Sequence, residues 1–319
     1  MNDGEKKSTG PAGNAESSPA HDTPPPTEGS RSLCAPDPQR SCFGCCPPIR
    51  PAHYDPLDWV SSLKREFREN RELFPENRRF GRPIVGFSCW ALGYLDPKGV
   101  QIGCLLHPAR HGGQDLRYLT GYREKCARES CLQAKHFERL SPHAQSFWLG
   151  ITEGLGSFYY SSRRANPLFH LLLWGPAVLE KLAARGRTQS LPVTELVHHY
   201  PFLVHERWNP RGHRFLMETI FNECREALGW DSQRIEEAAQ RLHEAVCREI
   251  ARVGEGLFRP PLLYVHRIGL SAAFADYLRG IHGIFRANSR GLFHIKDRTL
   301  RWVRRGAITG DSPGDPPFS

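Results

Sequence analysis

Along the second half of the chain, apolar residues return every three to four positions, the spacing that places them on one face of an α-helix. The clearest stripe lies in residues 231–253, where Ile235, Ala238, Leu242, Val246 and Ile250 follow Asp231, a residue type suited to open a helix. Similar spacing predicts helices over residues 211–228 and 262–285 and a short one over 194–199, ending at His198-His199. Upstream, Leu57, Val60, Leu63, Phe67 and Leu73 recur among Lys, Arg and Glu, which predicts a helix over 57–74 stopped by Pro75. Residues 116–132 read as helical with a break at Gly121. Ser141-Pro142 caps a helix running to about Arg164, and residues 167–185 form an apolar helix ended by Gly186. Two stretches alternate with period two instead. Residues 84–87 read as a strand, and 292–295 with 299–303 read as a small C-terminal β-hairpin around Lys296-Asp297-Arg298. The expected fold class is mainly α.

The polar stretches divide the chain further. Residues 1–40 are rich in Ser, Pro, Gly, Asp and Glu and have few bulky apolar residues to offset the entropy of ordering, so they read as a disordered leader. Residues 41–140 form a loop-rich, cysteine-containing module, and 141–305 an all-helical domain closed by the hairpin. Residues 306–319, rich in Gly, Pro and Asp, read as a flexible tail. A membrane span needs about 20 continuous apolar residues. The apolar part of the best run, residues 168–179, is too short and reads as a buried helix. Residues 1–16 lack the apolar core of a signal peptide, so a cytoplasmic protein with no membrane association is expected.

Charge adds one function class. The formal net charge is +9, which favours an acidic partner. The basic residues concentrate at the C-terminal end: Arg286, Arg290, Lys296, Arg298, Arg301, Arg304 and Arg305 stand against Asp297, interleaved with Phe293, His294 and Trp302. A basic hairpin of this kind over residues 286–305 could follow a nucleic-acid backbone, and a solvated strand edge explains the same residues.

A reducing compartment turns attention to the ten cysteines, because clustered thiols there serve metals or redox chemistry more often than disulfides. Cys224 and Cys247 fall within predicted helices and read as buried packing residues. The other eight precede Leu132. Cys42-Phe43-Gly44-Cys45-Cys46 is a knuckle whose Cys-x-x-Cys spacing aims two sulfurs at one ion, with Gly44 freeing the turn's backbone. Cys89, Cys104, Cys126 and Cys131 follow. The seven candidate ligands are Cys42, Cys45, Cys46, Cys89, Cys104, Cys126 and Cys131.

The order Cys42-x-x-Cys45-Cys46, Cys89-Trp90-Ala91-Leu92, Gly103-Cys104-Leu105-Leu106-His107-Pro108, then Cys126 and Cys131 resembles the YkgJ-type family, a zinc- or iron-chelating domain labelled CxxCxxCC. The resemblance covers about residues 42–131 and implies metal binding without a shared reaction; some members resemble parts of protein-modifying enzymes. This chain departs from the pattern where the first cysteine would fall at Gln39, with Cys34 further upstream, and where His107-Pro108 replaces Arg-Pro.

The metal stays open between zinc and an iron–sulfur cluster. Both take four-ligand sites. Seven cysteines exceed one such site and fall short of two, so His107 or His111 is a candidate to complete a second. The function reading is a metal-binding protein, structural or redox. The alternatives are a protein-modifying enzyme using the module and a nucleic-acid-binding protein acting through residues 286–305. No phosphate-binding loop, G-x-S-x-G elbow or H-E-x-x-H motif occurs.

Overall fold

The computed structural model describes residues 31–46, 57–84, 89–128, 130–306 and 308. It is mainly helical, with two small antiparallel strand pairs. The expected strand at 84–87 lies almost wholly outside the described residues. Residues 31–40, expected to be disordered, form tight turns bridged between Ser32 and Ala35 and between Asp37 and Arg40. The reason is Leu33, which is 1% exposed within the main core and whose carbonyl accepts a hydrogen bond from Tyr160 Oη at 3.1 Å.

The first helix, Trp59–Glu72, is shorter at both ends than the expected 57–74, and Pro75 does not stop it but occupies the first turn of the next helix, Phe74–Phe80, where its missing N–H costs nothing. Phe67 and Asn70 of the first helix pack on the strand Leu92–Tyr94, which pairs with Ile102–Cys104 in the register Gly93 to Gly103. Phe67, Trp90, Leu92, Tyr94, Ile102, Leu106 and Leu116 form a small apolar core behind the cysteines. Downstream, the expected 116–132 helix divides into the 3-10 turn Arg117–Thr120, a left-handed Gly121 and the helix Arg123–Arg128.

The larger core holds the rest. Helix Leu132–Glu138 brings Ala134 and Phe137 into it beside Trp148 and Trp174, so the compositional change near residue 140 falls inside one packed body. The helix expected over 141–164 is interrupted. Pro142–Leu149 and Ser157–Ser161 are helical, with Gly154 at φ 77 turning the chain between them. The 167–185 stretch breaks at Gly175, φ 83, and restarts as Pro176–Thr188. Gly186 lies inside that second helix, where a Cβ would stand 2.6 Å from the Phe147 ring, so it serves close packing and does not end the helix. Trp148 and Trp174 are fully buried, and each indole N–H donates to a carbonyl, of Leu179 at 3.1 Å and of Leu203 at 3.0 Å.

Helices Pro210–Glu223, Ser232–Val253 and Ala272–Ile281 pack together, with Phe215 against Phe274 at 4.7 Å between ring centroids. A C-terminal strand pair exists, but Leu263–Tyr264 and Arg286–Ala287 form it. The residues expected to make the hairpin belong to the helix Ser289–Arg304. Leu292, Ile295, Thr299, Trp302 and Val303 recur at helical spacing and are buried, many of them facing the Ser232–Val253 helix. No described helix is long and apolar enough to cross a membrane.

One buried histidine ties this core to pH. His136 is 3% exposed; its Nδ1 lies 2.6 Å from the Leu172 carbonyl, and its Nε2 lies 3.1 Å from Arg214 Nη1. With Nδ1–H donating and Nε2 accepting, the ring is neutral. Burial first, and the neighbouring arginine after it, hold its pKa below the ordinary histidine range. The unfolded chain therefore takes up a proton at higher pH than the folded one. This contribution to stability is complete above about pH 6.5 and is lost as pH falls from there through the folded value. The denaturant midpoint is expected to drop between pH 7 and pH 5, with a shallower drop in His136→Gln; equal slopes would refute the assignment.

Candidate metal centre

Cys34, Cys42, Cys45, Cys46, Cys89, Cys104, Cys126 and Cys131 all line one cavity of ≈ 110 Å³, together with His107, Arg110 and Arg117. The seven cysteines expected as ligands thus converge, and an eighth joins them. Cys34 was not in the expected set because its linear distance from the knuckle is long. Its carbonyl accepts the Cys42 N–H at 2.9 Å, so a turn of the leader folds it back against the knuckle.

Local backbone explains how each thiol is aimed. The Phe43 carbonyl accepts from Cys46 N at 3.0 Å, closing the knuckle turn. Gly44 is required here by close approach rather than by an unusual dihedral: a Cβ would lie 2.5 Å from the Ser161 carbonyl oxygen. Asn70, 7% exposed, donates through Nδ2 to the carbonyls of Leu92 at 2.9 Å and Cys89 at 3.3 Å, holding the Cys89 turn. Cys104 ends the second strand, and the Cys126 N–H bonds the Tyr122 carbonyl at 2.8 Å in the start of Arg123–Arg128. Cys131 caps the Leu132–Glu138 helix, its Sγ accepting from Ala134 N at 3.3 Å. Cys42 Sγ likewise accepts from Gly44 N at 3.4 Å. Backbone amides also point at Cys89, from Ala91 and Leu92, and at Cys104, from Leu106. Amides directed at sulfur stabilise the charged form, which is the form that binds metal.

Neighbouring thiols influence one another's ionisation across the cavity. Cys34 feels Cys42 and Cys45, and Cys131 feels Cys45 and Cys34. Cys46 feels Cys104 and Cys89 most, and Cys104 feels Cys89 and Cys126. Cys46 also feels Cys34 and Cys42, so the thiols form one connected group. Two arginines border it. Arg163 Nη2 donates to Cys45 Sγ at 3.2 Å, and Arg117, held by Asp115 at 2.9 Å, faces Cys104 and Cys126.

Burial raises the thiols, to about 12 for Cys34 and Cys104 and about 11 for Cys89, with Cys46 well up as well. Cys45 is the exception. A hydrogen bond from the Cys131 thiol, and Arg163 beside it, hold it below the ordinary range, while the same bond pushes Cys131 up. Burial keeps these thiols protonated, and a bound cation replaces the protons, so metal uptake at this cavity releases protons.

Of the two histidines that are candidates to complete a second site, His107 lines the cavity and His111 does not. His111 Nε2 is 2.8 Å from the Leu105 carbonyl. His107 lines the cavity, but its Nδ1 accepts from Ala109 N at 3.2 Å, and burial, with Arg117 nearby, lowers its pKa to about 4.

Spacing bears on the metal. In a tetrahedral zinc site with Zn–S of about 2.3 Å, neighbouring sulfurs stand about 3.8 Å apart. Among the described residues, three ligand atoms come within 4.8 Å of one another only at His243, Cys247 and His282. No such threesome is formed by the cavity thiols among the described residues. An iron–sulfur cluster places each thiolate on a separate iron and so holds its four ligands farther apart. The donor set fits such a group.

Comparison of the chain with protein-family models, with curated proteins and with solved structures finds no match. Its cysteine order stands as the basis for any family assignment.

Proposed function

We propose that this chain is an iron–sulfur protein that holds two clusters in one cavity, one on Cys34, Cys42, Cys45 and Cys131, the other on Cys46, Cys89, Cys104 and Cys126. The observation that carries this reading is the convergence of eight thiols in one cavity, enough for two four-cysteine clusters, with Arg163 donating to Cys45 and Arg117 on the lining. The YkgJ-type order of the cysteines supports it. Two clusters in one cavity suit one-electron transfer. The first set reaches the surface side at Cys45 and Arg163, where an electron donor or acceptor has access.

The test is metal and sulfide content with the visible spectrum of protein purified without oxygen. About eight iron and eight sulfide per chain, with a broad band near 400 nm, are expected. Two zinc ions and no colour would replace this reading with a structural zinc module; no metal would remove both.

The nucleic-acid alternative gains nothing from the C-terminal helix. Arg298 pairs with Glu249 at 3.1 Å, Arg304 pairs with Glu223 at 2.9 Å, and Trp302 is buried, which removes it as a base-stacking platform.

A further inference from the structure

Cys247 reads from the sequence as a packing residue, yet it is the centre of a second ligand group far along the chain from the thiol cavity. His243 and Cys247 lie four residues apart in the Ser232–Val253 helix, so both project from one face. His282 caps the end of the neighbouring Ala272–Ile281 helix. One ligand atom from each of the three lies within 4.8 Å of the others.

Several features mark this as a built site. His243 Nε2 is 3.6 Å from Cys247 Sγ, close to the roughly 3.5 Å that imidazole nitrogen and thiolate sulfur keep on one tetrahedral zinc ion. The other nitrogen, His243 Nδ1, lies 2.7 Å from Tyr277 Oη, and Tyr277 is fully buried. That bond fixes the ring plane, as an outer hydrogen bond does for metal-bound histidines. His282 stacks on His243 with ring centroids 5.6 Å apart, and its Nε2 is buried without a hydrogen-bond partner. An unsatisfied buried imidazole nitrogen costs free energy that a cation removes.

We propose that His243, Cys247 and His282 bind a zinc-class divalent cation, with the fourth position open to water or another oxygen donor. Three protein ligands with one free position is the pattern of zinc sites that do chemistry rather than hold a fold. His243 also forms part of the wall of a cleft lined by Trp208, His213, Glu236 and Gln240, which gives a ligand a route to the ion. This site is independent of the thiol cavity: neither lining shares a residue with the other.

The experiment uses the full chain purified without oxygen, incubated with zinc sulfate and desalted. Iron and zinc are counted per chain for wild type, for Cys247→Ser with His282→Gln, and for Tyr277→Phe. Wild type is expected to keep one more zinc per chain than the double variant, with equal iron in both. Tyr277→Phe is expected to weaken zinc binding by about 10–100-fold. Zinc-edge X-ray absorption of the wild type covers the case in which the double variant fails to fold. A mixed shell of two imidazoles and one sulfur is expected. Equal zinc in wild type and double variant, or a zinc shell of sulfur alone, would overturn the site.

Discussion

Replacing Cys34 with serine is expected to remove about half of the iron and sulfide from the protein while leaving the rest in place. A hydroxyl is a hard, weakly acidic donor and a poor substitute for thiolate at iron. In the proposed partition Cys34 shares a cluster with Cys42, Cys45 and Cys131, so only that cluster loses a ligand. The other set, around Cys46 and Cys104, keeps all four. Leu33 still anchors the leader in the core, so the turn that carries residue 34 stays folded. Iron and sulfide analysis of the variant beside Cys224→Ser, whose sulfur lies outside the cavity, checks this. Unchanged iron in Cys34→Ser would show that the residue only packs against the knuckle, and the two-cluster partition would fail with it.

The second large effect is expected at Arg214, deep in the helical core at 4% exposure. Its guanidinium serves three elements at once: Nη1 lies 3.1 Å from His136 Nε2, Nη2 lies 3.3 Å from Asp276 Oδ2, and Nε stands 3.7 Å from Glu218. Gly175 makes room for it, since a Cβ there would meet Arg214 Cδ at 2.7 Å. Burial already raises the Glu218 carboxyl pKa, and Arg214 is the charge that opposes the rise. Arg214→Leu keeps the apolar stem but leaves Glu218 and His136 without their cation, while Asp276 keeps the exposed Arg211 at 3.3 Å. Breaking a buried pair on one side costs about 3–5 kcal/mol where the remaining charge is uncompensated, and Arg211 places this variant toward the lower end. Urea unfolding is expected to show a lower midpoint with an unchanged slope, and iron content per folded chain is expected to stay constant. A loss under about 1 kcal/mol, the range of exposed ion pairs, would mean that water replaces the arginine in this pocket.

The amphipathic stripe of residues 231–253 was legible because a helix that buries one face must repeat its apolar residues every 3.6 positions, wherever it docks. The mainly α class was legible for similarly local reasons, and the Cys42-x-x-Cys45 knuckle was legible as a turn, while the meeting of the other cysteines with it depends on distant residues such as Asn70 and Ser161. Residues 292–303 show the limit. Within four-residue windows they alternate like strands, and only the full run from Leu292 to Val303 carries helical spacing. Which period wins is decided by the surface that covers the apolar face, here the Ser232–Val253 helix. Gly186 shows the same limit: its place inside a helix depends on Phe147, a residue 39 positions away.

The sequence by itself determined which segments are helical in type and which thiols are close in order. Only the tertiary structure decided that Cys34 joins the other seven thiols in one cavity and that His243, Cys247 and His282 meet. The physical reason is that ligand sets are closed by contacts between loops and helix ends. Their free energy comes from burial and hydrogen bonds such as Cys42 N to the Cys34 carbonyl and Tyr277 Oη to His243, which leave no periodic trace along the chain.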